Sequence, residues 1–275
     1  MHEPFLLAQL SDLHIKAGGR LSYGVVDTLG ALRIAVSHLN ALQPRPDALV
    51  ITGDLVDFGT PEEYATLREV LTELVMPFFV IPGNHDDRAA LRAAFADHRY
   101  LPTQGTLDWQ QDCGPLRLIG LDTHIPGEHG GRLDASQLAW LDDQLSQAPA
   151  QPTLVLLHHP PFPVGIGHMD RIGLDGGAEL EAVIRRHPQV ERLLCGHLHR
   201  LIQRRFGGTL ACVCPGVSHQ VELDLREAAP SRFRLEPPGL LLHRWADEAL
   251  VTHHLPLGNY PGPYPFFAAD GQLLD

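Results

Sequence analysis

Nine short apolar runs punctuate this chain of 275 residues, and the first of them alternate with stretches whose apolar positions repeat at helical spacing. The runs are FLLAQL (5–10), DALVI (47–51), PFFVI (77–81), LRLIGL (116–121), TLVLL (153–157), RLLC (192–195), TLACV (209–213), GLLLHRW (239–245) and ALVTHH (249–254). Several have no polar face, as expected of strands covered on both sides. Helical spacing runs through 25–42, 60–74, 133–145 and 177–187. In the second of these, Thr60 is placed as N-cap, Pro61 at the first helical position and Glu63 to close a capping box. The alternation implies an α/β fold with a parallel portion, and the later strands, separated by short turns, suggest an antiparallel second sheet. Two sheets with helices outside are expected, in one domain covering 1–275. The segment EAAPSRFRLEPPG (227–239) is the clearest long loop and a candidate lid or interface element.

The length suffices for a large buried core. A formal charge of −12, with Lys16 the only lysine, leaves no basic stripe, so a nucleic acid polymer is disfavoured as partner. The four cysteines (Cys113, Cys195, Cys212, Cys214) lack C-x-x-C spacing and read as thiols in a reducing cytoplasm. Cys212 and Cys214, two apart on a strand, could touch a metal, but small packed hydrophobes is the preferred reading. The opening residues carry no basic leader pattern, and nowhere do eighteen apolar residues run together. A cytoplasmic chain with no membrane partner is expected.

The informative residues are those that follow each run. Asp12 and His14 follow the first, Asp54 the second, and Asn84, His85 and Asp86 the third. His158 and His159 follow TLVLL, His197 and His199 follow RLLC, and His219 follows TLACV. In LLCGHLHR (193–200), an extended chain would project His197 and His199 to one side, with Gly196 letting the backbone turn. Taken singly, each has an ordinary reading: a turn aspartate, a left-handed asparagine, a packed core histidine. Jointly, six strand ends would deliver carboxylates, an amide and imidazoles to one rim, where ligands bind in open α/β sheets.

This mixed oxygen and nitrogen set suits Mn, Fe, Zn, Co or Ni rather than calcium or an iron–sulfur cluster. Asp12, His14, Asp54, Asn84, His158, His197 and His199 are too many for one four-coordinate ion. They suffice for two ions if a carboxylate bridges, an arrangement that acts on phosphoryl groups.

In order and spacing, D-x-H (Asp12, His14), G-D (Gly53, Asp54), G-N-H-D (Gly83 to Asp86), H-H-P-P (His158 to Pro161) and G-H-x-H (Gly196 to His199) resemble the calcineurin-like metallophosphoesterases. The strings YGVVDT, RPDALVITGDLVDFGTPEEY, IPGNHDD and CPGVSHQV are similar to the bacterial branch of class III cyclic-nucleotide phosphodiesterases and glycerophosphodiesterases. The resemblance implies a four-layer αββα sandwich of two mixed sheets. It implies two divalent or mixed-valence transition metals (Mn, Fe, Zn or Co), with Asp12, His14 and His199 on the first, Asn84, His158 and His197 on the second, and Asp54 bridging. It also implies that Asn84 and His85 contact the phosphate, that His85 assists the leaving oxygen, that His197 and His219 lie on the substrate side, and that Asp86 and His159 orient ligands. The stretch 220–275 would supply a cap or interface loop and the C-terminal strands, with Arg226, Arg232 and Arg234 able to meet an anionic group. No cysteine follows Cys214 and Phe58 stands where one relative has a cysteine, so a disulfide-linked dimer through the tail is not available. A noncovalent homodimer or higher homo-oligomer is the corresponding expectation.

The expected activity is hydrolysis of a small phosphodiester, a 3′,5′-cyclic nucleotide such as cAMP or a glycerophosphodiester, by attack of metal-bound hydroxide. A phosphomonoesterase on the same site is the alternative, for which the acidic composition offers no obvious dianion partner. A non-catalytic metal-binding scaffold is a third reading, in which lost ligands would be expected.

Overall fold

The computed structural model describes residues 3–274. Its first half runs β1 (Phe5–Leu10), α1 (Thr28–Ala41), β2 (Ala48–Thr52), α2 (Pro61–Leu71), β3 (Phe78–Ile81) and α3 (Arg88–Ala94). There follow β4 (Trp109–Cys113), β5 (Leu116–Leu121), the two-residue β6 (Gly131–Arg132), α4 (Ala135–Gln147) and β7 (Thr153–Leu157). The one-turn α5 (Gly167–Asp170), β8 (Leu174–Asp175), α6 (Gly177–Ile184) and β9 (Val190–Cys195) come next. The chain closes with β10 (Ile202–Phe206), β11 (Thr209–Val213), β12 (Gln220–Val221), β13 (Phe233–Arg234), β14 (Gly239–Ala246) and β15 (Ala249–Pro256).

Two mixed sheets carry the architecture, in the orders β15-β14-β1-β2-β3 and β10-β11-β9-β7-β5-β4. In the first sheet β1, β2 and β3 run parallel out to the β3 edge, with β14 and β15 antiparallel on the other side; in the second β5, β7, β9 and β11 run parallel between antiparallel edges β4 and β10. The second sheet is therefore not antiparallel as the short turns suggested. Its late partner β10 folds back on β11, while the β14–β15 hairpin joins the first sheet along β1. Turn length reports how two strands connect and carries no information about which sheet edge receives them.

The layers follow from two-residue periodicity. On the second sheet Leu118, Leu154, Leu156 and Leu194 face the first sheet and pack with Leu7, Val50, Leu32 and Leu67 in one core. Their neighbours Ile119, Val155, Leu157 and Leu193 face outward under Leu141, Leu145, Leu180 and Ile184 of α4 and α6. These strands are buried on both faces, which is why they read as unbroken apolar runs. Each fully buried Leu contributes roughly 1.5–3 kcal/mol relative to exposure. The first four helices start where capping residues dictate. Asp27 accepts Gly30 N–H, Thr60 and Glu63 close a capping box, Asp87 accepts two N–H groups, and Asp134 pairs with Gln137.

Between the sheets lies a buried polar chain. Gln9 Nε2 donates to Thr52 Oγ1 at 3.0 Å and to the Cys195 carbonyl at 3.1 Å, so its Oε1 accepts from His243 Nε2 at 3.1 Å. Cys212 and Cys214 are buried beside Leu241 as packed thiols, and Cys214 Sγ donates to the Gln9 carbonyl. No helix among the described residues is long and apolar enough to cross a membrane.

Candidate metal centre

At the carboxyl ends of β1, β2, β3, β7 and β9 the chain turns sharply, and the backbone records it. Among the described residues eight non-glycine positions have positive φ, and five of them are Asp12, His14, Asp54, His197 and His199, at φ 57°, 46°, 49°, 71° and 50°. A left-handed backbone is uncommon outside glycine and persists only where the surroundings hold it. His197 and His199 are thus not an extended pair. Each follows β9 in a left-handed conformation, and they diverge toward two neighbouring places rather than one. Gly196 has no positive φ; its role is close approach, since a Cβ there would lie 2.1 Å from Ser11 Oγ and 2.7 Å from the Thr52 carbonyl.

On one side Asp12, His14, Asp54 and His199 each bring a ligand-type atom within 4.8 Å of the others. His14 Nε2 and His199 Nε2 are 3.1 Å apart, and Asp12 Oδ1 lies 3.4 Å from His199 Nε2. On the other side His158 and His197 pack ring against ring, with Asn84 Oδ1 at 3.1 Å from His197 Nδ1. Asp54 stands between: its Oδ2 is 3.5 Å from His14 Nε2 and 3.3 Å from His158 Nε2.

The imidazoles are oriented from behind. His14 Nδ1–H donates to Asp57 Oδ1 at 3.2 Å, His158 Nδ1–H to the Thr52 carbonyl at 2.8 Å, His199 Nδ1–H to the His219 carbonyl at 3.1 Å, and His197 Nε2–H to the Ile172 carbonyl at 3.0 Å. The opposite nitrogen of each ring points toward the centre, where a neutral imidazole presents the lone pair that metal-bound histidines need. Asp12 Oδ2 and His158 Nε2 are buried with no hydrogen-bond partner. Orphaned buried atoms of this kind are costly unless something else satisfies them, and cations would satisfy both. The donor set therefore fits transition-metal ions.

On their own, these groups share protons with one another. Burial pushes the Asp12 carboxyl up to about 6. Asp54 resists the same burial because His158, His85 and His14 surround it, and it is held well below the usual carboxylate range. Burial works against charge on His158, yet the adjoining Asp54 raises it to about 9. His159 is different. Burial and the neighbouring His158 lower it to about 3, Nδ1 meets Thr123 Oγ1 at 2.8 Å and Nε2–H donates to the His129 carbonyl at 3.1 Å. With both nitrogens engaged, its ring packs 4.5 Å from that of His197.

The profile of the calcineurin-like phosphoesterase family matches residues 5–201. The chain belongs to that family. A probable glycerophosphodiester phosphodiesterase GpdQ of Arcobacter nitrofigilis is 40% identical over 272 residues, covering 98% of this chain and 100% of its own. A cAMP/cGMP dual specificity phosphodiesterase of Mycobacterium tuberculosis is 35% identical over 258 residues, covering 92% of this chain and 80% of its own. Among solved structures, a dimetal phosphatase from Danio rerio shares the fold with a TM-score of 0.62 at 15% identity, covering 92% of this chain and 99% of that one.

In this phosphoesterase five of the candidate ligands, His14, Asp54, Asn84, His197 and His199, open into a chamber of about 450 Å³. His85 enters it edge-on to His14, with ring centroids 4.6 Å apart. Its backbone N–H donates to Asp54 Oδ1 at 2.9 Å and its Nδ1–H to the Asp57 carbonyl at 2.8 Å, leaving Nε2 toward the chamber. His219 is 3% exposed and packs between Tyr23 and Phe233, while burial and the neighbouring His199 lower it to about 2. Asp86 touches none of the imidazoles; its Oδ2 accepts Leu55 and Gly83 N–H and so braces the loops that carry Asp54 and Asn84. Of the three arginines of the 222–238 loop only Arg232 lines the chamber, because Arg226 pairs with Asp224 and Arg234 with Glu222.

Sequence reasoning passed over Asp57, which the structure places against His14 and His85. Its signal was present in TGDLVD, where a second aspartate stands three residues after Asp54. Tyr23 and His129, which also line the chamber, come from loops, and His168 and Phe233 from the one-turn α5 and the two-residue β13, elements too short to leave a periodic trace.

Proposed function

We propose that the phosphoesterase hydrolyses small phosphodiesters with a pair of transition-metal ions, Mn, Fe, Zn or Co, held as two sets of ligands joined by Asp54. Asp12, His14 and His199 form one set, and Asn84, His158 and His197 the other. The observation that carries this reading is the inward turn of one nitrogen from each of four imidazoles, two in each set, each ring fixed from behind through its other nitrogen. When bound, the metals supply water activation near neutral pH and neutralise charge on the phosphoryl oxygens.

The chain's own groups do the rest. Asp54 holds the two ligand sets in register, while its Oδ1 fixes the backbone of His85. Nδ1–H of His85 is committed to the Asp57 carbonyl, so Nε2 is the atom that gives a proton to the leaving oxygen. Asn84 reaches the chamber beside His85 and contacts the phosphate. His197 and His219 line the same chamber on the substrate side. Val221, Ser231, Arg232 and Phe233 wall its mouth, so the segment 220–238 acts as a cap within a single domain and selects the ester arm. The names of the relatives support a 3′,5′-cyclic nucleotide or a glycerophosphodiester as substrate, and the four buried, unpaired thiols support action in the reducing cytoplasm.

The deciding experiment compares kcat/KM of the Mn²⁺-loaded protein for bis(p-nitrophenyl) phosphate and p-nitrophenyl phosphate. A clear preference for the diester is expected. Preference for the monoester would make the protein a phosphatase, and no turnover of either with metals bound would make it a scaffold.

A further inference from the structure

Lys16, the only lysine of the chain, has no place in the chemistry above, yet it lies one residue pair from the centre. Its Nζ is 2.8 Å from Asp57 Oδ2, with side-chain exposures of 14% and 6%. The other oxygen of the same carboxylate takes the Nδ1–H of His14 at 3.2 Å. One carboxylate therefore sits between an ammonium and a candidate metal ligand. The exposed ring of Phe58 lies over the ammonium, 4.3 Å from Nζ to the ring centroid, and screens that side from solvent. Asp57 does not depend on Lys16 for its place: its backbone N–H donates to the Ile15 carbonyl at 3.2 Å and its own carbonyl takes His85 Nδ1–H.

We propose that Lys16 is a positioning residue that weakens metal binding at the Asp12, His14 and His199 set by sharing the charge of Asp57. The inference rests on the ligand assignment given above. A carboxylate behind a metal-bound imidazole strengthens its donation. An ammonium on the second oxygen of that carboxylate withdraws part of this effect. The same positive charge also opposes a cation nearby, so both contributions have one sign. The consequence is a first position whose metal stays exchangeable while the Asn84, His158 and His197 set, which lacks such a partner among the described residues, is untouched by the lysine.

The test is calorimetric titration of metal-free protein with Mn²⁺, with metal content after dialysis as a second readout, for wild type, Lys16→Met, Lys16→Arg and Asp57→Asn. Lys16→Met is expected to bind at one position on the order of tenfold more tightly, with the other position unchanged and Lys16→Arg behaving as wild type. Asp57→Asn is expected to weaken that same position. Equal or weaker binding by a folded Lys16→Met protein, or an equal shift at both positions, overturns the inference. If Lys16→Met does not fold, Lys16→Gln takes its place with the same expectations. Wild-type protein that takes up no Mn²⁺ overturns the ligand assignment itself, a separate result from two bound ions that ignore Lys16.

Discussion

The Tyr64 hydroxyl donates to Asp86 Oδ1 across 2.8 Å, while Asp86 Oδ2 accepts the N–H of Gly83 at 2.8 Å and of Leu55 at 3.2 Å. One buried carboxylate thus fastens α2 to the two loops that carry Asp54 and Asn84. Asp86→Ala leaves three buried donors without an acceptor and is expected to destabilise the metal-free protein by about 2–4 kcal/mol, against about 1 kcal/mol for Tyr64→Phe. Urea unfolding measures both. Equal losses for the two variants would mean that the backbone N–H groups find other partners.

His85 and Asp54 are expected to separate in their effects although they touch. One oxygen of Asp54 lies within reach of both ligand sets, so Asp54→Ala is expected to lose bound metal and activity together. His85→Ala removes a ring that faces the chamber and leaves all the proposed ligands in place. It is expected to keep its metal content and lose about 10²–10⁴-fold in kcat on a diester. Elemental analysis beside the rate shows the split. Undiminished turnover by His85→Ala would remove it from the chemistry.

Gly53 tests how tightly the backbone is drawn under the centre. Its φ is +93°, and a Cβ there would lie 2.4 Å from His158 Nδ1 and 2.9 Å from Gly83 Cα. Gly105, with φ +70° and open space around its missing Cβ, isolates the conformational cost alone. Gly105→Ala is expected to cost about 1 kcal/mol and to keep metal. Gly53→Ala is expected to lower both Tm and metal content, because His158 must move off the Thr52 carbonyl. Matching metal content in the two variants would show that the ring has room to yield.

These residues also show what could be read in the sequence and what could not. Asp12, Asp54 and Asn84 were legible because each follows an apolar run, and in a sheet of parallel strands that position is enough to place them on one rim. His158 was legible in the same way on the second sheet, but the meeting of the two rims comes from the packing of one sheet on the other. The strands themselves were legible where both faces are buried. β4 and β10 were not, since WQQDC and IQRRF are edge strands with polar, partly exposed residues and no apolar run. The short α3 follows a Pro-Gly-Asn turn and offers only two helical turns to a periodicity argument. Asp57 and Lys16 are separated by 41 positions in sequence and meet only because Ile15 and Val56 bridge after β1 and β2. The left-handed backbone at His197 and His199 likewise comes from tertiary contacts that local pattern does not encode.

His243 carries a prediction about pH that stands apart from the metal centre. It is fully buried; Nε2–H donates to Gln9 Oε1, Nδ1 accepts from Thr252 Oγ1 at 2.8 Å, and Arg192 also bonds that hydroxyl. Burial and then the Arg192 charge lower it to about 3. In the unfolded chain a histidine titrates near 6.5. Below that pH the unfolded state takes up a proton that the folded state refuses, so this group's contribution is full above about 6.5 and is lost as pH falls toward 3. The slope approaches about 1.4 kcal/mol per pH unit. His243→Leu, which also strands Gln9 Oε1, is expected to be less stable at pH 7 yet to lose stability less steeply between pH 6 and 4.5. Urea unfolding of both proteins across that range measures the difference, and parallel curves would mean that His243 is charged in the folded protein.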